Sequence, residues 1–410
     1  MPDILKPADV KHVEQAVQWA LTEGKTLEIA GGGTKRPIGR PTQVDLTLEL
    51  SALTGVTLYE PEELVLSARA GTPLEEIETL VASKNQQLAF EPIHCGRILG
   101  SADERATIGG ALATNLCGPR RMKAGAARDH LLGFTAVSGR AETFKSGGRV
   151  VKNVTGYDLS KLLAGSWGTL AVMTDVTLKT LPKPETEATV LIHGLPPEAA
   201  IQAMSRAMNS GCDVSGAAHL PQEVVSLIPI AEVAQAATSV TAMRLEGFAP
   251  SVAHRRSTLK ELASSFGELS ILREQSSTRL WEAVRDAIPF AAQARDAELP
   301  LWRISVPASM GAALAARISA GAQAQMLFDW AGGLIWLALP PSEDAGAPLV
   351  SAAVAEFGGH ATLMRAPTPV RAKVDVFWRG DAVLAALTRR IKEGFDPKGV
   401  LNPGRMWAGV

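Results

Sequence analysis

Glycine is gathered rather than spread in the first part of this 410-residue chain. Runs stand at Gly31-Gly32-Gly33, Gly109-Gly110, Gly147-Gly148 and Gly165 to Gly168, all before a Leu181-Pro182-Lys183-Pro184-Glu185 break. Two prolines so spaced end a strand pattern and favour an extended linker. A first domain over residues 1–182 is expected, in which something must approach the backbone closely.

Periodicity supplies the elements of that domain. Val10, Val13, Ala16, Val17, Ala20 and Leu21 recur at helical spacing, and Thr26 to Ala30 form a short apolar strand that runs into the first glycines. Leu64, Leu66, Ala68 and Ala70 alternate as a strand, and Thr72-Pro73-Leu74-Glu75 reads as a capping box opening a helix. Asp158 is placed to cap a short helix ending at Gly165, and Leu170 to Lys179 alternate as a half-buried strand. Beyond the prolines, strands near 189–192, 239–246, 301–306, 325–329 and 334–339 alternate with helices, the pattern of an α+β layer domain. No internal repeat of fixed period stands out.

A glycine-rich turn after a strand presents successive N–H groups to phosphate oxygens. Two familiar versions do not fit. Gly31 and Gly33 match the first two positions of the dinucleotide fingerprint, but Arg36 stands where its third glycine belongs. Lys35 follows Thr34 rather than a glycine and no Ser or Thr comes next, so the Walker pattern fails as well. What remains is a loop with Lys35, Arg36 and Arg40 nearby that can hold a pyrophosphate, or else an ordinary surface turn.

Charge narrows the partners. The 41 Lys+Arg balance 42 Asp+Glu, and no acidic or basic block marks a tail for nucleic acid or anionic lipid. Three cysteines, Cys95, Cys117 and Cys212, are too few for a cluster or a structural zinc and read as reduced, mostly buried thiols. No stretch of about 18 uncharged apolar residues occurs, so a cytoplasmic chain without a membrane span is expected.

Two further segments decide between pyrophosphate loop and surface turn. One runs Ala106-Thr107-Ile108-Gly109-Gly110-Ala111-Leu112-Ala113-Thr114-Asn115, followed by Gly118-Pro119-Arg120-Arg121 and Gly125 to Gly133. The other runs Val151-Lys152-Asn153-Val154-Thr155-Gly156-Tyr157-Asp158-Leu159 and on through Gly165-Ser166-Trp167-Gly168-Thr169-Leu170. Together with a Phe395 to Arg405 close, this ordered set resembles the FAD-binding proteins of the vanillyl-alcohol oxidase or PCMH type. Within that type it resembles the smaller flavin-binding subunits of bacterial glycolate oxidases. The resemblance covers about residues 5–182 and the close; the part between is matched only in type.

The resemblance implies a two-lobed FAD-binding domain, an α+β cap or substrate domain over 183–370, and a segment over 371–410 that returns to the cofactor. It implies that Ala30, Gly31, Gly32, Gly33, Thr34 and Lys35 cradle the FAD pyrophosphate. Thr107, Ile108, Gly109, Gly110, Ala113, Thr114 and Asn115 would line the diphosphate and flavin side, with Gly118, Arg120, Arg121, Asp129 and His130 continuing that wall. Gly165, Gly168, Thr169 and Val172 would meet the adenine end, and Tyr157 and Asn402 would stand beside the cofactor. The loop lacks the histidine that many members join to the flavin, so noncovalent FAD is expected. Implied partners are a larger FAD-binding subunit and an iron–sulfur subunit, with a small 2-hydroxy acid reaching the site through the complex and any membrane association peripheral and through partners.

Catalytic residues are not assigned. The seven histidines contain no pair at i,i+3 or i,i+4, and no metal site is visible. Arg303 and Arg365, on cap strands, are candidates to clamp a carboxylate, against the commoner outcome of solvated arginines. Trp330 and Trp336 read as core or interface. A free-standing FAD-dependent oxidoreductase acting on a small hydroxy acid or alcohol, and a non-catalytic assembly subunit, remain the alternatives.

Overall fold

The computed structural model describes residues 3–101, 105–149, 156–292 and 299–409. The first lobe is a small parallel sheet, Asp3–Leu5, Leu46–Glu49 and Leu27–Ala30 in spatial order. It is covered by the helix Val10–Glu23, which turns Val13, Val17 and Ala20 inward. Asp9 accepts from the His12 N–H at one end of that helix, and Gly24 closes the other at φ +63°.

The second lobe is a five-stranded antiparallel sheet ordered Val56–Glu60, Val65–Arg69, Ala171–Lys179, Leu131–Ser138 and Thr143–Gly147. Its helix Leu74–Ala82 starts without a capping box: Thr72 Oγ1 instead donates to Arg69 O at 2.7 Å and accepts from Gly55 N at 2.9 Å. The buried hydroxyl is thus spent on fixing the preceding turn. Asp158 likewise makes no side-chain cap on the helix Leu159–Leu163. Val151 to Thr155, part of the third glycine-marked segment, lie outside the described residues.

The proline break is tied down rather than free. Leu181–Pro182 pairs antiparallel with Gln86–Gln87, and Lys183 N donates to Asn85 O at 2.7 Å.

The cap carries one eight-stranded sheet. Thr186–His193, Gly216–Leu220, Val240–Gly247 and Leu269–Arg273 with their helices form one βαββαβ unit, and Leu301–Ser305, Gln325–Asp329, Leu334–Ala338 and His360–Arg365 form a second. Their strand orders mirror one another, and they join edge to edge through the His219↔Phe328 bridge. Strands 216–220 and 269–273 were not signalled by periodicity. The first is buried at every position, so it has no polar alternation to betray it.

After the helix Ala382–Phe395 the chain returns to the first lobe. Leu401 lies parallel to Leu27, with Leu27 N bonded to Val400 O and Asn402 N to Leu27 O. Val400 and Leu401 share a core with Val13, Val17 and Leu48. Cys95, Cys117 and Cys212 are free and buried, and burial pushes the Cys117 thiol up to about 11.

Candidate functional site

A groove opens where the two lobes meet, and three glycine-marked segments converge on it. Ala30, Gly31, Gly32, Gly33, Thr34 and Lys35 form one side, Thr107, Gly109, Gly110, Ala113 and Thr114 the second, and Gly168 the third. The helix Ile108–Thr114 explains its own selection: positions 109 and 113, and 110 and 114, are one turn apart and share a face, whereas Ile108 and Leu112 point into the core.

The glycines are required first by how closely these segments pack. A Cβ on Gly31 would sit 2.2 Å from Thr107 Oγ1, one on Gly32 1.7 Å from Arg105 O, and one on Gly109 2.8 Å from Ala70 Cβ. Thr107 caps its helix by accepting from Gly110 N, so loop and helix are held against each other.

Periodicity along the chain did not mark Glu28, Ile29, Leu50, Ala70, Trp167, Ala171, Met173 or Arg405 as lining residues. Strand alternation could have found two of them. Ala171 and Met173 share the groove face of their strand, which turns Val172 to the opposite side, into the core with Val13 and Val17.

The groove is cationic at one end and apolar at the other. Lys35 is buried and makes no ion pair among the described residues. Arg405 is buried with Nη2 donating to Lys35 O and Ile38 O, while its Nε has no partner. Burial pushes its guanidinium down to about 10, so it remains charged at neutral pH. The one acid among the described lining residues, Glu28, is occupied by Arg36 Nε at 2.7 Å and Thr47 Oγ1 at 2.9 Å. Leu50, Ala70, Ala171, Met173 and Trp167 supply flat apolar wall. A diphosphate beside Lys35 with an aromatic ring system on the apolar side fits this donor set. None of the lining residues is a histidine, cysteine or tyrosine able to bond a ring covalently.

Several residues expected on the wall stand elsewhere. Asn115 ends the helix at φ +50° and accepts from Arg128 N through Oδ1. The amide of Gly118 is bonded to Phe90 O and Glu91 O, and Arg120 bridges Glu91 and Glu246. Arg121 stacks on Trp330. Asp129 accepts from Ala126 N in its own turn. His130 is fully enclosed, with Nε2 2.9 Å from Ala124 O and Nδ1 3.3 Å from Lys179 O, and burial holds it below its usual pKa. Tyr157 is 90% exposed.

Gly165 N donates to Leu112 O and Thr169 Oγ1 to Ser166 O. Asn402 lies behind the wall: Oδ1 accepts from Ile29 N at 2.9 Å and Nδ2 donates to Trp167 O at 2.8 Å. These residues build the groove from outside rather than line it.

The family described as FAD binding domain matches residues 3–147, and that described as FAD linked oxidases, C-terminal domain, matches residues 377–406. Glycolate oxidase subunit GlcE of Escherichia coli (strain K12) is 33% identical over 96% of this chain and 96% of its own length. Glycolate oxidase subunit GlcD of Bacillus subtilis (strain 168) is 29% identical over 47% of this chain and 39% of its own. Among solved structures, p-cresol methylhydroxylase with substrate bound superposes with a TM-score of 0.74 at 14% identity, covering 99% of this chain and 88% of that one. An alkyldihydroxyacetonephosphate synthase superposes at 0.69 and 17% identity, covering 98% and 76%. These last two likenesses concern the fold alone.

Proposed function

The chain belongs to the family of glycolate oxidase subunit GlcE, and from that premise we propose that it is the FAD-binding subunit of a glycolate oxidase-like complex, holding FAD noncovalently in the interlobe groove and relaying electrons. The observation that carries this reading is the convergence of the segments around 31, 109 and 168 on one groove beside Lys35. When bound, FAD supplies the two-electron acceptor for oxidation of a CH–OH group.

The chain's own residues then have separable tasks. Amides of the Gly31 to Lys35 loop and the Lys35 cation bind the diphosphate. The face made by Gly109, Gly110, Ala113 and Thr114 lets a ring system lie against backbone, with Ala171 and Met173 behind it. Trp167, Arg405 and Asn402 fix the wall and exclude water. In this reading residues 1–182 bind the cofactor, 183–370 cover it and 371–410 close the first lobe. A larger FAD-binding subunit and an iron–sulfur subunit are the proposed partners, and glycolate or a related 2-hydroxy acid the donor. No helix of the described residues is long and apolar enough to cross a membrane, so any membrane association is proposed to run through those partners.

The test is purification of the chain and measurement of bound flavin by absorbance and mass, then dye reduction by glycolate with the chain alone and with its partner subunits. Stoichiometric FAD, released intact by denaturation, and turnover that needs the partners support the reading. A chain that takes up no FAD ends it.

A further inference from the structure

Across the cap, buried arginines are matched to anions or carbonyls. Arg244 is paired with Glu91 and Glu246, Arg285 with Asp286, and Arg365 with the carbonyls of Leu299, Ile98 and Phe290. Arg303 is the exception. Its Nε is sealed from solvent and has no partner, and it makes no ion pair among the described residues. A buried cation without a partner is unfavourable, because the low-dielectric interior leaves its charge uncompensated. An anion brought to such a group compensates that charge.

Its surroundings say where the anion enters. On the strand Leu301–Ser305, Trp302 and Ile304 are buried, whereas Arg303 and Ser305 are only half-buried. Arg303 is registered between Trp336 and Thr362, and Ser305 opposite His360, which is exposed. This corner of the sheet therefore carries three polar side chains, of which His360 is exposed and Arg303 and Ser305 are half-buried.

The Arg303 guanidinium stacks 4.9 Å from the centre of the Trp330 ring, and Arg121, reaching over from the first domain, stacks on the same ring at 4.3 Å. Arg121 is exposed and also makes no ion pair among the described residues. Two unpaired cations from two domains thus share one indole.

The indole is held there at a cost. Trp330 and Ala331 adopt φ +54° and +56°, a strained conformation for two successive residues that carry side chains, and Trp330 Nε1 donates to Gly118 O at 3.1 Å. Asp329, the carboxylate that acts on Arg303, has its Oδ1 occupied by Trp330 N at 2.7 Å and forms no ion pair with the arginine. Burial pushes the Cys95 thiol up, against the charges of both Lys35 and Arg303.

We infer that Arg121 and Arg303, braced by Trp330, form a binding site for the carboxylate of a small organic acid, built from both domains and complete only when they are apposed. The identification of that acid with the donor rests on the flavin reading above, and it places a donor site on this chain rather than only on a partner subunit. Two planar guanidinium forks suit a carboxylate. A phosphate cradle would add free main-chain amides, and those of Gly118, Arg120 and Arg121 are already bonded to Phe90, Glu91 and Gly118.

The experiment is calorimetric titration of the full purified chain with glycolate, oxalate, ethylene glycol and inorganic phosphate, alongside flavin content by absorbance. Saturable binding of glycolate and oxalate, none of ethylene glycol, and a loss of about tenfold or more in both Arg121→Met and Arg303→Met support the site; a smaller loss in Arg303→Lys adds to that support. Should Arg303→Met not fold, Arg121→Met, at an exposed position, carries the test. No binding of either carboxylate, unchanged binding in the variants, or phosphate binding tighter than both acids overturns it. Flavin content separates the two readings. A chain without flavin that still binds oxalate through both arginines keeps the site and loses the flavin assignment, and a flavin-loaded chain blind to both acids does the reverse.

Discussion

Gly31 and Gly24 are both glycines with a structural purpose, but of different kinds. At Gly31 a methyl group would meet Thr107 Oγ1 at 2.2 Å, so Gly31→Ala must push the loop away from the helix that forms the opposite wall. Gly24 sits at φ +63° with nothing within 4 Å, so Gly24→Ala costs only the left-handed conformation, about 1 kcal/mol. The expected outcome is a chain that loses flavin by at least about tenfold in the first variant and retains it, with a slightly lower Tm, in the second. Equal flavin retention in both would mean that the loop is not a cofactor wall. Asp329 makes a second prediction. Burial raises its carboxyl from 3.8 to about 7. The folded state therefore binds a proton that the unfolded chain has released between those values. Its contribution to stability is full below pH 3.8 and is lost as pH rises through 7. Asp329→Asn keeps an oxygen for the Trp330 N–H and removes the titration, so denaturant unfolding should show a gain on the order of a few kcal/mol at pH 8 over wild type and little difference at pH 4. A wild-type slope that survives the substitution would refute this.

The contact between the domains is made by a few elements that exchange charge. Arg244, on the strand Val240–Gly247, reaches Glu91 at 2.8 Å, and Arg120 bridges Glu91 and Glu246. The coulombic pull of Arg244 and Arg120 outweighs burial and holds Glu91 below the usual carboxylate range. Arg244→Ala leaves two buried carboxylates unbalanced, and a loss of about 3–5 kcal/mol in unfolding free energy is expected, with flavin binding weakened because the cap is no longer clamped over the first domain. A loss below about 1 kcal/mol would show the cluster to be solvated. None of this was legible along the chain: Glu91, Arg120 and Arg244 stand far apart in sequence, and their pairing exists only once the sheets are folded. The elements themselves were legible where one face meets water. The helix Val10–Glu23 and the strand Ala171–Lys179 show clean periodicities, whereas the fully buried Gly216–Leu220 shows none. The glycine loop at 31–33 was readable because close packing at Gly31 and Gly32 admits only glycine. Arg120, His130 and Asn402 adjoin the glycine motifs and pair with other groups, and a residue adjoining a motif has no sequence mark that separates lining a wall from supporting it.

At the scale of the molecule, the chain closes on itself. The cap is two βαββαβ halves, spanning 186–273 and 301–365, joined through one bridge. The two halves differ in length, so no fixed period runs through the sequence and their likeness is visible in strand order alone. The last residues then return to the first lobe. Lys392 Nζ donates to Thr169 O, Leu401 O and Asp396 Oδ2, holding the turn that delivers Asn402 between Ile29 N and Trp167 O. Those two groups belong to adjoining sides of the groove, so one side chain near the C-terminus ties together two of the segments that line it. Asn402→Gly removes both bonds, worth about 2 kcal/mol together, while relieving the φ of +44° that asparagine tolerates there. Stability should consequently fall by less than the bonds alone predict, but the walls should lose their register. Flavin release, followed by fluorescence recovery after dilution, should accelerate about tenfold or more. Asn402→Asp keeps the oxygen for Ile29 N but sets a buried carboxylate oxygen against Trp167 O, so its release should be at least as fast as that of the glycine variant. Release rates identical in all three would mean that the C-terminal return supports the fold without shaping the groove.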